Sequence, residues 1–153
     1  MYFRLTNQTE THNGFQYKTG LNVDTHLFAE SGSCVPGGLY FARKDIFAFI
    51  GVETYYVRAV TIPDDARWLR DPGSGAEKFR ADRIVLGPRK SLWTAATIRW
   101  LIDNGADVHA DNDHALRGAA ECDHVNCVAL LLANGANVHA ENDHASSNAT
   151  KST

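Results

Sequence analysis

Asn104-Gly105-Ala106-Asp107-Val108-His109-Ala110-Asp111-Asn112-Asp113-His114-Ala115 returns thirty residues later as Asn134-Gly135-Ala136-Asn137-Val138-His139-Ala140-Glu141-Asn142-Asp143-His144-Ala145. Ten of the twelve positions are identical; only Asp107/Asn137 and Asp111/Glu141 differ. A fixed-period repeat decides a fold before single elements are assigned, because each unit buries its apolar face on the next. Upstream of each copy, Ile98, Leu101 and Ile102 in the first and Val125, Val128, Leu131 and Leu132 in the second recur at helical spacing. Each helix is expected to stop at a glycine, Gly105 or Gly135, where the chain can turn left-handed without a Cβ clash. Between the copies, Ala115-Leu116-Arg117-Gly118-Ala119-Ala120-Glu121 reads as a short helix with small residues on one face. The unit is therefore turn, short helix, longer helix, turn.

That layout, with Leu130-Leu131-Leu132-Ala133-Asn134 entering the second glycine turn and Gly105-Ala106-Asp107-Val108-His109-Ala110 leaving the first, resembles the ankyrin repeat. The usual ankyrin unit is about 33 residues. Here the period is 30, and the customary Thr-Pro-Leu-His opening is replaced by Asp113-His114-Ala115-Leu116-Arg117-Gly118-Ala119. This shortened form is similar to the ankyrin proteins that giant DNA viruses of amoebae encode in large numbers. The resemblance implies a short all-α repeat stack that holds a partner protein. The array starts with half a repeat (94–110), contains one full unit (111–140) and gives way after Ala145 to a polar tail. About three units are normally needed for stability, so the region in front is expected to cap the stack against the helix carrying Ile98 and Trp100. The expected organisation is a leader domain over 1–91, ankyrin repeats over 92–145 and a flexible tail over 146–153.

Residues 2–91 show no repeat. Tyr2–Thr6 and residues 53–62 are rich in aromatic and β-branched side chains and read as strands, the second closed by Pro63-Asp64-Asp65. Leu39–Phe41 and Arg83–Leu86 are further strand candidates, residues 44–50 read as a helix, and Asp71-Pro72-Gly73-Ser74-Gly75 as a loop. An α+β domain accounts for this pattern. Gly14-Phe15-Gln16-Tyr17, Gly20-Leu21-Asn22-Val23-Asp24, the stretch from Gly32 to Phe41 and Val60-Thr61-Ile62-Pro63-Asp64 are similar to the leader domain that precedes the array in the same viral proteins.

Composition narrows the chemistry. With 44% hydrophobic and 22% charged residues, the 153-residue chain has the makeup of a globular protein. It has no apolar run near 20 residues and no basic-then-apolar start, so a cytosolic compartment, here the host cytoplasm, is expected. Cys34, Cys122 and Cys127 form no disulfide framework, and the last two read as buried thiols. Residues 1–91 hold 12 Lys+Arg against 10 Asp+Glu, and residues 92–153 hold 3 against 8. Arg80, Arg83, Arg89 and Lys90 read as a solvated basic face rather than a nucleic-acid site, because no aromatic residues interleave them. His109, His114, His139 and His144 recur with the repeat and match no closed zinc spacing. No phosphate loop or nucleophile turn occurs, and no cofactor is expected.

One stretch, Gly37-Gly38-Leu39-Tyr40-Phe41-Ala42, faintly resembles the nicotinamide-lining segment of ADP-ribosyltransferases. In such an NAD-dependent enzyme Arg4 would supply the first-strand basic residue and Glu53 the acid on a later strand. The preferred reading is non-enzymatic: a protein–protein adaptor whose loop tips (Asp111, Asn112, Glu141, Asn142) and inner helix (His114, Arg117) meet a host or viral partner. Homo-oligomerisation, as in a structural virion protein, is the other alternative.

Overall fold

The structure is a computed structural model that describes residues 1–137. Ten strands come first and three α-helices follow. The strands are β1 (Tyr2–Thr6), β2 (Thr11–His12), β3 (Phe15–Gln16), β4 (Gly20–Val23), β5 (Leu39–Phe41), β6 (Tyr56–Thr61), β7 (Trp68–Arg70), β8 (Phe79–Ala81), β9 (Arg83–Leu86) and β10 (Lys90–Ser91). The helices are α1 (Ala95–Asp103), α2 (Ala110–Glu121) and α3 (Val125–Ala133). No helix of the described residues is long and apolar enough to cross a membrane.

The main sheet runs β1-β6-β9-β4, with β10 also on β6, and a second sheet runs β5-β8-β7. Every pairing is antiparallel. The sheets touch where Phe3 and Ala42 exchange backbone bonds, Phe3 N–H to Ala42 O at 2.7 Å and Ala42 N–H to Phe3 O at 2.9 Å. Alternation along a strand sends neighbouring side chains to opposite faces, and β6 uses both. Val60 joins Leu39, Phe41, Phe79, Ile84 and Leu86 in a core shared by the two sheets. Val57 joins Phe3, Phe47, Leu92 and the helical residues Ile98, Leu101, Leu116 and Leu131 in a second core. The sheet and the helices thus share one apolar interior, and Trp100 of α1 meets Phe3 of β1 edge to face, ring centres 5.3 Å apart.

Several expectations shift. Glu53 lies in a turn closed by Thr54 N–H on Gly51 O, so the strand predicted over 53–62 is only Tyr56–Thr61. The helix predicted over 44–50 is a single 3-10 turn, Ile46–Phe49, whose Ile46 and Phe47 plug the second core. Arg80 does not lie on a solvated face. It is fully buried at the centre of β8, where its guanidinium meets Asp71 at 2.9 Å and donates to the carbonyls of Ala29, Ser31 and Gly32. Cys127 is buried, with burial pushing its thiol pKa up, but Cys122 is exposed. The glycine stops hold: Gly105 and Gly135 take φ of 103° and 93°. At the other end of α1, the Thr94 hydroxyl caps the helix by accepting from Thr97 N–H at 3.1 Å.

Candidate partner-binding site

The candidate surface is the turn that carries Asp111 and Asn112 into the inner helix. It opens with Asp107, whose Oδ1 accepts His109 N–H at 2.9 Å. Asp111, Asn112 and Asp113 then take φ of 52°, 54° and 58°, one left-handed turn that breaks α2 ahead of its regular part. Asp and Asn enter this region more readily than other non-glycine residues, though at roughly 1–2 kcal/mol each. Arg117 holds the turn from below, Nη2 to Asp111 O at 2.9 Å and Nε to Asn112 O at 3.4 Å. Asp111 and Asn112 stand exposed as a result.

The other predicted contact residues divide. Arg117 is half-buried and engaged with the turn's carbonyls. His114 is half-buried, and its Nε2 lies 2.7 Å from the carbonyl of Ile50, so its ring ties the inner helix to the segment after the 3-10 turn. Glu141 and Asn142 lie outside the described residues, as do His139 and His144. His109 Nδ1 lies 2.7 Å from Asp113 Oδ1. Among the described residues no group of three His, Cys, Asp or Glu is placed to hold a metal. Asp107 and Asp111 are exposed at the turn itself, whereas the exposed Asp103 ends α1 and the exposed Glu121 and Asp123 lie at and beyond the far end of α2.

Sequence reasoning missed Asp113. It is buried at 3% exposure, and its Oδ2 accepts Asn137 N–H at 3.0 Å, joining one unit to the next. Thirty residues earlier, the equivalent Asp107 N–H donates to Lys44 O at 2.8 Å. Residues 44–50 therefore give the first half-repeat the acceptor that Asp113 gives the second. The recurrence of Asp113 as Asp143 within the repeat was the available signal.

The residues singled out for an enzyme also come together in part. Arg4, Tyr40 and Glu53 all border a cavity of about 500 Å³ between β1 and β5. Glu53, however, sits in an exposed turn before β6 and not on a strand. Gly37 and Gly38 line an adjoining cavity of similar size. There Cys34 is exposed, and the ammonium of Lys78, with the Ser33 hydroxyl, pulls its thiol below the usual pKa range.

Comparison with known proteins agrees with the repeat. The ankyrin repeat family matches residues 111–143. An ankyrin repeat protein of Acanthamoeba polyphaga mimivirus is 43% identical over 112 residues, which is 68% of this chain and 36% of that one. A second from the same virus is 34% identical over 140 residues, 86% of this chain and 66% of the relative. An uncharacterized protein of that virus is 33% identical over 135 residues, 86% of this chain and 97% of its own length. The chain thus spans about a third of the first relative and about two thirds of the second. No solved structure matches. With a 30-residue repeat, one unit of it recognised as ankyrin, and a β-rich leader shared with these relatives, the chain belongs to the ankyrin-repeat proteins of mimivirus-like giant DNA viruses.

Proposed function

We propose that the protein is a non-enzymatic adaptor of the infected host's cytoplasm, a leader domain and a short all-α ankyrin stack that together hold a partner protein. The observation that carries this reading is the exposed left-handed turn, Asp111 and Asn112, fixed by Arg117 and preceded by the exposed Asp107. A rigid turn loses little freedom on binding, and an acidic turn favours a partner with a basic surface. Glu141 and Asn142 repeat the same chemistry one unit on, and His114 acts as an anchor beneath it. Binding through such turns is additive over units, so each further turn of this kind, or a contact from the leader domain, adds to the affinity.

The test is capture of partners from infected-cell lysate by the wild-type chain and by a variant carrying Asp111→Lys and Glu141→Lys. A partner that binds the first and not the second, and is released by raised salt, supports the adaptor. Equal capture by both, or capture no better than an unrelated bait, sinks it.

A further inference from the structure

Three arginines of the β-rich region reach into its interior, and two are neutralised. Arg58 grips Glu10 with two bonds of 2.8 Å, and Arg80 meets Asp71 at 2.9 Å. Arg4 has no such partner. Its Nη1 donates to Tyr40 O at 3.0 Å and its guanidinium lies 4.5 Å from the centre of the Tyr17 ring, while its Nε is sealed from solvent without an acceptor. Among the described residues no carboxylate comes within ion-pair distance of it. Arg4 is half-buried, and a cation partly withdrawn from water without a counter-charge is costly until a partner reaches it. Burial also pulls the Arg4 guanidinium below its ordinary pKa.

This cation borders the cavity of about 500 Å³ between β1 and β5, a size suited to a small organic ligand. Lys78 adds a second cation, 5.2 Å from the centre of the Tyr40 ring, and His12, whose pKa burial and Arg4 pull below its ordinary value, adds an imidazole that stays uncharged at neutral pH; Tyr17, Tyr40 and Phe49 supply aromatic walls. Phe49 is 38% exposed, an apolar ring left open at the rim. Glu53 is the one acidic residue among the lining residues. Guanidinium groups pair with phosphate through two parallel donors, and aromatic faces take a flat ring.

We infer that this cavity binds a nucleoside monophosphate-like ligand, an aromatic base against Tyr40 and Phe49 with its phosphate on Arg4, His12 and Lys78. Two cations, Arg4 and Lys78, with a neutral imidazole donor from His12, offer the three oxygens of a phosphate more donors than a single carboxylate would use. The site is independent of the ankyrin turn, and the adaptor reading stands or falls without it.

The full chain is titrated with 5′-AMP, adenosine and inorganic phosphate while its melting temperature and binding heat are followed. AMP near a hundred times its Kd raises Tm by about 5–10 °C, and adenosine and phosphate each give less than half of that. Arg4→Met removes the charge with little change in volume. It keeps or raises the Tm of the ligand-free protein and weakens AMP at least about tenfold, the loss expected when a charged hydrogen-bond partner goes. No AMP shift up to about 10 mM, a phosphate shift equal to that of AMP, or unchanged AMP affinity in Arg4→Met overturns the inference. Should Arg4→Met not fold, Arg4→Lys serves instead, since it keeps the charge but not the two-pronged donor. A tenfold loss of AMP affinity there supports the site, and retained affinity overturns it.

Discussion

Replacing Asp113 tests how the helical units are joined. Its carboxylate accepts Asn137 N–H at 3.0 Å on one oxygen and faces His109 Nδ1 at 2.7 Å on the other. A hydrogen bond to a charged group contributes about 1.5–3 kcal/mol. The His109 side chain is 56% exposed, so that contact belongs near the surface-pair range of about 0–1 kcal/mol. Asp113→Ala should therefore cost about 2–4 kcal/mol, the bond to Asn137 carrying most of it. For a chain of this length that lowers Tm by about 5–15 °C. Asp113→Asn keeps one acceptor oxygen and should lose about half as much. Asp111→Ala, two residues away in the same turn but exposed and with no side-chain bond to the next unit among the described residues, should cost less, about 1 kcal/mol from the left-handed backbone alone. Chemical denaturation gives the totals, and hydrogen exchange locates them: the Asn137 amide should exchange about thirtyfold faster in Asp113→Ala if about 2 kcal/mol of local protection is lost. The reasoning is refuted if Asp113→Ala costs no more than Asp111→Ala, or if Asn137 exchange does not change.

Trp100→Ala removes the ring that meets Phe3 across the sheet–helix boundary and lies under the Lys90 ammonium. For a half-buried tryptophan the loss should be about 2–4 kcal/mol. Because the core is shared, helical circular dichroism and the fluorescence of Trp68 and Trp93 should melt together, and a separate helical transition would refute that. The Arg58 guanidinium, through its hydrogen bonds, holds the Glu10 carboxyl below its ordinary value near 4.5 despite burial. Its contribution is thus complete above pH 4.5 and fades as pH falls through the lower folded value. Glu10→Gln should be less stable than wild type at pH 7, with the gap closing below pH 4.5. A gap independent of pH would show that the pair's charge is unimportant. Cys34, exposed with its thiol pKa lowered by Lys78 and Ser33, should alkylate faster than Cys122 at pH 7. Lys78→Ala should slow that reaction, and an unchanged rate would mean the ammonium does not activate the thiol.

The helical part was legible because its signals are local and occur twice. Helix-spaced apolar residues and a terminal glycine located α1 and α3, and Tyr2–Thr6, Leu39–Phe41 and Arg83–Leu86 are strands with the predicted bounds. What stayed hidden depends on partners distant in sequence. Phe79-Arg80-Ala81 does not look like a buried strand, because nothing local shows Asp71 and three loop carbonyls closing on Arg80. The ring of His114 is spoken for by a carbonyl 64 residues earlier. The β2–β3 hairpin went unread although Asn13-Gly14, the pair favoured where both turn residues need positive φ, here 49° and 79°, was its signal. Its two-residue strands were too short for alternation to register.

The matching acceptors, Lys44 O for Asp107 and the Asp113 carboxylate for Asn137, also bear on how such genes change. Each unit meets an equivalent socket on whatever precedes it, whether that is the leader or another unit. Inserting or deleting one whole thirty-residue unit between these two joints would leave each remaining amide an acceptor of the same kind. Array length can drift among paralogues in this way without the leader having to co-evolve with it.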